Sequence, residues 1–360
     1  MLRSLLTAAS MSPLMIVAAA GFAFAQVPQV PEGSRITGPM THENLTVYFV
    51  HGASAPGKVP LTLEEAMARR VVQVRETGNV NQLEIENLGN DEVFIQSGDI
   101  VKGGQQDRTL MVSLVLPPKS GRVSIASFCV EQGRWSARGR EDVKNFSTAS
   151  AAVPSREMKL AMKAPKPTPV PVADPAQRMR GGPSNSANET SVRQREVWDE
   201  VAKAQQKLSG SLGGQVNSGE SASSLQLALE NDKLVEAQKA YINALRKAGE
   251  AVDDIIGYVF AVNGKLNSAD VYPSNGLFRK MWSKLLNASA IEAISHRNDA
   301  RGEAPSIEAV TAFLTDAERG KSEVKPLNAG VKLDTRDGDK AVYFETARAG
   351  NWVHRNYLAK

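Results

Sequence analysis

Asp99, Lys102, Asp107, Arg108, Glu131 and Arg134 crowd two neighbouring motifs, FIQSGDIVKGGQQDR at 94–108 and ASFCVEQGRW at 126–135. Apolar runs flank both motifs, and a charge buried there without a partner costs roughly several kcal/mol. These side chains therefore pair with one another or face a ligand. Gly103 and Gly104 let the backbone approach a ligand or adopt positive φ, and neighbouring N–H groups with Lys102 and Arg108 form a cradle for phosphate or carboxylate. Gln105 and Gln106 would orient that anion beside Asp107, Arg134 would recognise its charge, and Trp135 would stack on a ring. Asp99 and Glu131 are the candidates for moving a proton. A second reading needs no ligand: Asp107 and Arg108 clamp a turn, Arg134 pairs with Glu131 or Asp107, and Trp135 plugs the core.

Other chemistries find less support. The GxxxxGK[ST] spacing of a P-loop is absent. His42, His51, His296 and His354 show no HxH or HxxxH spacing and no CxxC exists, so no dedicated metal site is expected. No GxSxG marks a serine nucleophile, and nothing in one sequence selects a triad from scattered Ser, His and Asp. His51, at a strand end, is the best lone histidine for chemistry. Cys129 is the sole cysteine, which excludes an intramolecular disulfide, and its apolar neighbours Phe128 and Val130 suggest a buried, inert thiol.

Short apolar runs supply the scaffold. Strands are expected at Leu45–Val50, Val71–Arg75, Leu83–Glu86, Glu92–Gln96, Leu110–Leu116 and Arg122–Val130, separated by turn signals, with a short helix at Thr62–Arg70. Further on, Leu234, Ala237, Tyr241, Leu245, Ala248 and Val252 form one apolar helical stripe, which suits packing on the sheet. Ile255–Val262 reads as a strand and Leu277–Leu286 as a helix, Ser306 caps another to about Arg319, and Asp337-Gly338 signals a hairpin before a last strand at Trp352–Tyr357. Asn263, Lys265 and Asp270 make a second polar window that is expected to project toward the first. The fold class that follows is α+β, a β-rich core shaped as a sandwich or barrel-like sheet with packed helices, interrupted by a long flexible insertion.

Composition bounds the setting. The chain is 42% hydrophobic and 23% charged, within the range of ordinary globular proteins. Arg3, the apolar Met11–Phe24 and the small-x-small Ala23-Phe24-Ala25 read as a secretory signal peptide over 1–25, and the +4 charge falls to +3 when Arg3 leaves with it. A periplasmic or secreted protein with no membrane span in its mature form is expected. The positive charge is spread along the chain, so nucleic acid is not expected as a partner. Residues 26–42 read as an extended leader, 43–146 as the first part of the β-rich domain, 147–191 as a Pro/Ala/Ser-rich linker or insertion, and 192–360 as the second part of the same domain.

The stretches ENLTVYFVHG, NDEVFIQSGDIVKGGQQDR, ASFCVEQGRW and VNGKLNSADVYPSNGLFRKMWSKLLNASAIEA resemble the prokaryotic ARG and rhodanese-phosphatase-superfamily-associated protein domain. The resemblance runs on both sides of the linker, from about Glu43 to Phe146 and from about Arg195 onward, and implies one interrupted domain of no established activity. Its association with ADP-ribosylglycohydrolases and phosphatases points, by context, to ADP-ribose or nucleotide-like compounds. Two functions follow: binding or hydrolysis of a small anionic ligand at the 99–135 cluster, or a non-catalytic envelope module with a protein partner and a structural ion-pair network. The sequence names no cofactor.

Overall fold

The computed structural model describes residues 35–139, 141–163 and 185–360; the stretch 1–25 read above as a signal peptide, the start of the expected leader and residues 164–184 of the expected linker lie outside them. Two large sheets carry the fold. The first has eight strands and draws on both ends of the chain. Its order is β1 (Arg35–His42), β2 (Leu45–His51), β12 (Ile255–Val262), β13 (Lys265–Val271), β17 (Asn351–Ala359), β16 (Ala341–Arg348), β15 (Val331–Asp337) and β14 (Lys321–Pro326). Residues 35–42, read above as leader, are thus an edge strand paired with β2.

Every residue of β2 and β12 is buried, and the reason is visible in alternate side chains. Val47, Phe49, Tyr258 and Phe260 pack with the helices α5 (Asp232–Gly249) and α6 (Asn275–Ser295), whereas Tyr48, Val50 and Val259 pack with α7 (Ile307–Arg319) on the opposite face. Helices cover both faces, so these strands read as continuous apolar runs instead of alternating ones. The α5 stripe buries Leu234, Tyr241 and Leu245, as its spacing predicts.

The second sheet runs β11 (Phe146–Ala152), β7 (Asp99–Gly103), β8 (Arg108–Leu110), β10 (Gly121–Cys129), β5 (Gln82–Asn87) and β4 (Val72–Glu76). A bridge between Arg75 and Asn145 brings its two edges together, so the sheet is a nearly closed barrel around Val74, Ile85, Val101, Leu110 and Phe146. A small third sheet, β3 (Leu61–Thr62), β6 (Val93–Ile95) and β9 (Leu114–Leu116), lies against β16 and β17. The short helix α1 (Leu63–Ala68) begins at Thr62 with a complete capping box.

Two differences from the sequence reading matter for the site. The run 110–116 is not one strand: the chain leaves the barrel after Leu110 and enters the third sheet at Leu114. Ser97 holds that switch, donating from its backbone N–H to Ser113 Oγ and from its hydroxyl to the Met111 carbonyl. The other difference is order within the alanine- and proline-rich stretch. Residues 146–152 form β11, and α2 (Arg156–Lys163) follows, anchored by the buried Met158 and Met162. Farther on, α3 (Asn185–Leu212) and α4 (Leu225–Leu229) complete the helices used below.

Candidate functional site

The first polar window folds as the β7–β8 hairpin. Gly103 and Gly104 form its turn at φ +108° and +56°. A Cβ on Gly104 would stand 2.4 Å from the Phe146 ring and 2.8 Å from Glu76 Oε1, so glycine is needed for closeness as well as for φ. The hairpin and the end of β10 deliver Asp107, Arg108 and Glu131 to one interior point, where all three are fully buried.

Arginine then closes this cluster. Arg134 lies 2.7 Å from Glu131 and 3.6 Å from Asp107, and it donates to the carbonyls of Gly103 and Gly104. Arg138 reaches Asp107 at 3.0 Å, Glu131 at 3.3 Å and Glu141 at 2.9 Å. Arg108 donates to the Gln106 carbonyl, approaches Glu76 at 3.5 Å, and lies 5.7 Å from the ring centre of Trp135. Ser224, the N-cap of α4, donates to Asp107 at 2.8 Å while accepting from Leu227 N–H. Burial alone would raise the Glu131 carboxyl, but hydrogen bonds from Arg134, Ser221 and the Asp107 N–H override it and hold the group below its ordinary value. On Arg138, burial works against the charge, yet Asp107 and Glu141 hold its pKa above the usual arginine range.

The remaining residues of this window fall around the cluster. Lys102 points away to Glu230, at 2.7 Å. Gln105 donates its N–H to Glu76, and Gln106 is buried with its side chain turned to Arg108. Trp135 is 47% exposed and caps Arg108 from outside, so it is not a core plug. Asp99 is separate from the cluster: one oxygen accepts from Gln96 N–H and the other lies 3.0 Å from Lys284 of α6.

The second window divides. Asn263 turns the β12–β13 hairpin and donates to the His296 carbonyl, and Lys265 is exposed. Neither residue bonds to the 102–135 group among the described residues. Asp270 enters a different polar group, built where the third sheet meets β13, β16 and β17.

That group contains a hydroxyl, an imidazole and a carboxylate in line. Ser113 Oγ lies 2.9 Å from His354 Nδ1, and His354 Nε2 lies 3.1 Å from Asp270 Oδ1. Ser97 N–H donates to Ser113 Oγ and takes one of its two lone pairs, while the hydroxyl and His354 Nδ1 share a further hydrogen bond. The Nε2 direction falls outside hydrogen-bond geometry, so its contact with Asp270 is electrostatic. Asn356 donates to Asp270 at 2.9 Å and accepts from Lys163 at the end of α2. Phe94 and Tyr272 hold the imidazole, with ring centres at 5.9 and 4.9 Å. Burial opposes ionisation of Asp270, but His354, Lys159 and Lys163 keep its pKa below the ordinary carboxylate value.

A cavity of about 30 Å³ adjoins these groups, lined among others by Ser113, Lys163, Thr346, His354 and Asn356. Thr346 is buried and its hydroxyl has no hydrogen-bond partner. Burial pulls the Lys163 amine down to about 7, the nearby Asp270 notwithstanding, and Lys159 is lowered in the same sense. The sequence reading missed Ser113, Lys163, Thr346 and His354 as site residues. The one available signal was the i, i+4 pair Lys159 and Lys163, each directly after an apolar methionine, Met158 or Met162.

Three other groups offer titratable side chains but fit chemistry less well. His51 contacts the Thr37 hydroxyl through Nε2 and the Asp254 carboxylate through Nδ1, both at 2.7 Å, but Arg35 crowds the Nδ1 side and Asp254 is half exposed. Glu157, Glu292 and His296 bring their ligand atoms within 4.8 Å of one another, with Arg156 and Lys207 already supplying positive charge beside them. The Cys129 thiol is buried and pushed up to about 11, which leaves it protonated near neutrality.

No helix among the described residues is long and apolar enough to cross a membrane. No curated protein and no solved structure gives a significant match to the chain. One family model does match, over residues 33–358, which spans nearly the whole sequence and both sides of the linker. The chain therefore belongs to the ARG and Rhodanese-Phosphatase-superfamily-associated Protein domain family.

Proposed function

We propose that this domain binds a small anionic group in the cavity beside His354, and that the Asp107–Glu131–arginine cluster serves the fold. One observation carries the reading: Thr346, whose hydroxyl has no partner, lines the same small cavity as Ser113, His354 and the lysine Lys163. Buried polar groups are normally satisfied, and one left open beside a cavity calls for water or a ligand. The Lys163 amine, lowered to about 7 by burial, regains its charge when an anion enters beside it, which favours an anion. The cavity admits only a terminal group such as a carboxylate or phosphate, so a larger ligand of the ADP-ribose class would place its end there. Hydrolysis of that ligand is the finer form of this proposal, as is export, which residues 1–25 support.

The test is calorimetry and thermal melting with acetate, inorganic phosphate and ADP-ribose, on the parent and on Thr346→Val and Lys163→Met. A ligand at a hundredfold excess over its Kd adds about 2.7 kcal/mol. An anion beside Lys163 restores the amine's charge, so binding near pH 8 takes up protons, seen as a buffer-dependent heat. Stabilisation that both variants lose supports the site. Stabilisation that both retain sinks it.

A further inference from the structure

We infer that Ser113 is a nucleophile for a small acyl ester, with His354 as its base and Asp270 as the residue that positions the imidazole. This inference rests on the cavity reading above and names its chemistry: the small anion becomes the carboxylate product. Three features set Ser113 apart from an ordinary buried serine. Its hydroxyl lies 2.9 Å from His354 Nδ1, within hydrogen-bond reach of a base, and Ser97 N–H holds the oxygen in place by donating to it. His354 is clamped between Phe94 and Tyr272, with Asp270 behind it at 3.1 Å to balance a developing imidazolium. Beyond the hydroxyl lies the cavity, where Lys163 and the unengaged Thr346 hydroxyl are available to a carbonyl oxygen. Nδ1 faces the hydroxyl and Nε2 the carboxylate, and imidazole relays a proton from either nitrogen. The Thr37–His51–Asp254 line has shorter contacts, but Arg35 lies 3.1 Å from the ring nitrogen that faces Asp254.

The step balances without an added reactant other than water. Ser113 Oγ bonds to the acyl carbon while its proton passes to His354 Nδ1. Collapse of the tetrahedral adduct breaks the bond from the acyl carbon to the alcohol oxygen, and the alcohol leaves with the proton from Nδ1. Water then attacks the acyl-serine, giving its proton to Nδ1, and Ser113 recovers a proton as the acyl–Oγ bond breaks and a carboxylic acid departs. The size of the cavity limits the acyl group to about that of acetyl.

Two probes test the inference on the purified protein: methanesulfonyl fluoride, a small serine sulfonylating agent, and p-nitrophenyl acetate. Peptide mass mapping is expected to place the label on Ser113, with acetate slowing the labelling. In His354→Gln the labelling rate falls about 10²-fold or more. The parent unfolded in urea provides the control that needs no variant: Ser113 loses its label there because the fold activates it. Label on Lys163 with Ser113 untouched overturns the inference, as does an unchanged rate in His354→Gln or equal labelling in urea. Acetate that raises the melting temperature while Ser113 stays unlabelled removes the nucleophile and leaves the binding site standing. Neither stabilisation nor labelling removes both.

Discussion

The Asp107–Glu131 group and the His354–Asp270 group are both centred on buried side chains and differ in how their charges are matched. Around Asp107 and Glu131, three arginines meet four carboxylates at short range, and Ser224 and backbone groups fill most of what remains. Arg108 Nε, Arg134 Nε, Glu76 Oε2 and Glu141 Oε2 make no hydrogen bond, but each belongs to a group already held by an opposite charge; Gln105 Oε1 and the Thr109 hydroxyl are also unpartnered there. Around His354 the balance differs: a lysine pulled toward neutrality and a wholly unengaged hydroxyl border a void. A matched network needs nothing further, whereas an unmatched one beside a cavity is stabilised by whatever enters. The density of charge that marks the first group in the sequence is therefore a sign of internal pairing, and the sparser group is the better candidate for chemistry.

The sharpest way to break this comparison is Arg138→Ala. It strips Asp107, Glu131 and Glu141 of a shared partner, and the uncompensated buried charge should cost about 3–5 kcal/mol in denaturant unfolding. A loss below about 1 kcal/mol would mean the cluster is not structural. The acid limb adds a check. Glu131 titrates below its ordinary value in the fold, so its contribution is present above that ordinary value and disappears as pH falls through the lower folded value.

Titration toward alkali tests the other group; stability again rises with pH, because this pKa too is lowered in the fold, but here it is the charged form that the fold disfavours. Lys163 falls to about 7 in the fold from an ordinary 10.5, so between those values the unfolded chain holds the extra proton. Stability contributed by this residue therefore rises with pH through that window, by at most about 1.4 kcal/mol per pH unit, and is flat below it. Chemical denaturation from pH 7 to 9 should show the slope in the parent and lose it in Lys163→Met. An identical slope in both proteins would assign the pH dependence elsewhere.

Much of the scaffold was legible because burial on two faces leaves a long apolar run, as in Leu45–Val50 and Ile255–Val262, and because paired glycines announce a hairpin at 103–104. The barrel-like sheet follows from the same short runs. The site was harder to read. Leu110–Leu116 looks like one strand because Met111 and Val112 are apolar, yet the chain changes sheets there, and only the bonds from Ser97 to Ser113 and Met111 reveal it. Arg138 lies in a short charged stretch with no periodicity, so its place beside Asp107 depends on a contact 31 residues back. His354 and Asp270 belong to neighbouring strands whose pairing is a tertiary fact. Lys163 sits at the edge of a proline- and alanine-rich stretch, where composition argued against an ordered helix.

Ser224→Ala probes the joint between the network and the helices. It removes both the hydrogen bond to Asp107 and the N-cap of α4, for an expected loss of about 1–3 kcal/mol. Asn at this position can still cap the helix, so Ser224→Asn should recover part of the loss if capping dominates and none if the bond to Asp107 does.

The smallest effect separates the two regions most directly. Lys102 was the natural anion ligand in a sequence reading, but its amine pairs with Glu230 near the surface and faces away from both polar groups. Removing one partner of such an exposed pair typically costs no more than about 1 kcal/mol. Lys102→Ala should therefore melt close to the parent and keep its full stabilisation by any anion that the parent binds. If that stabilisation vanishes while the melting temperature holds, the ligand sits on the β7–β8 hairpin after all, and the assignment of chemistry to the unmatched group fails. If it persists in Lys102→Ala and disappears in Thr346→Val, the difference in charge matching is what distinguishes a site from a clamp in this fold.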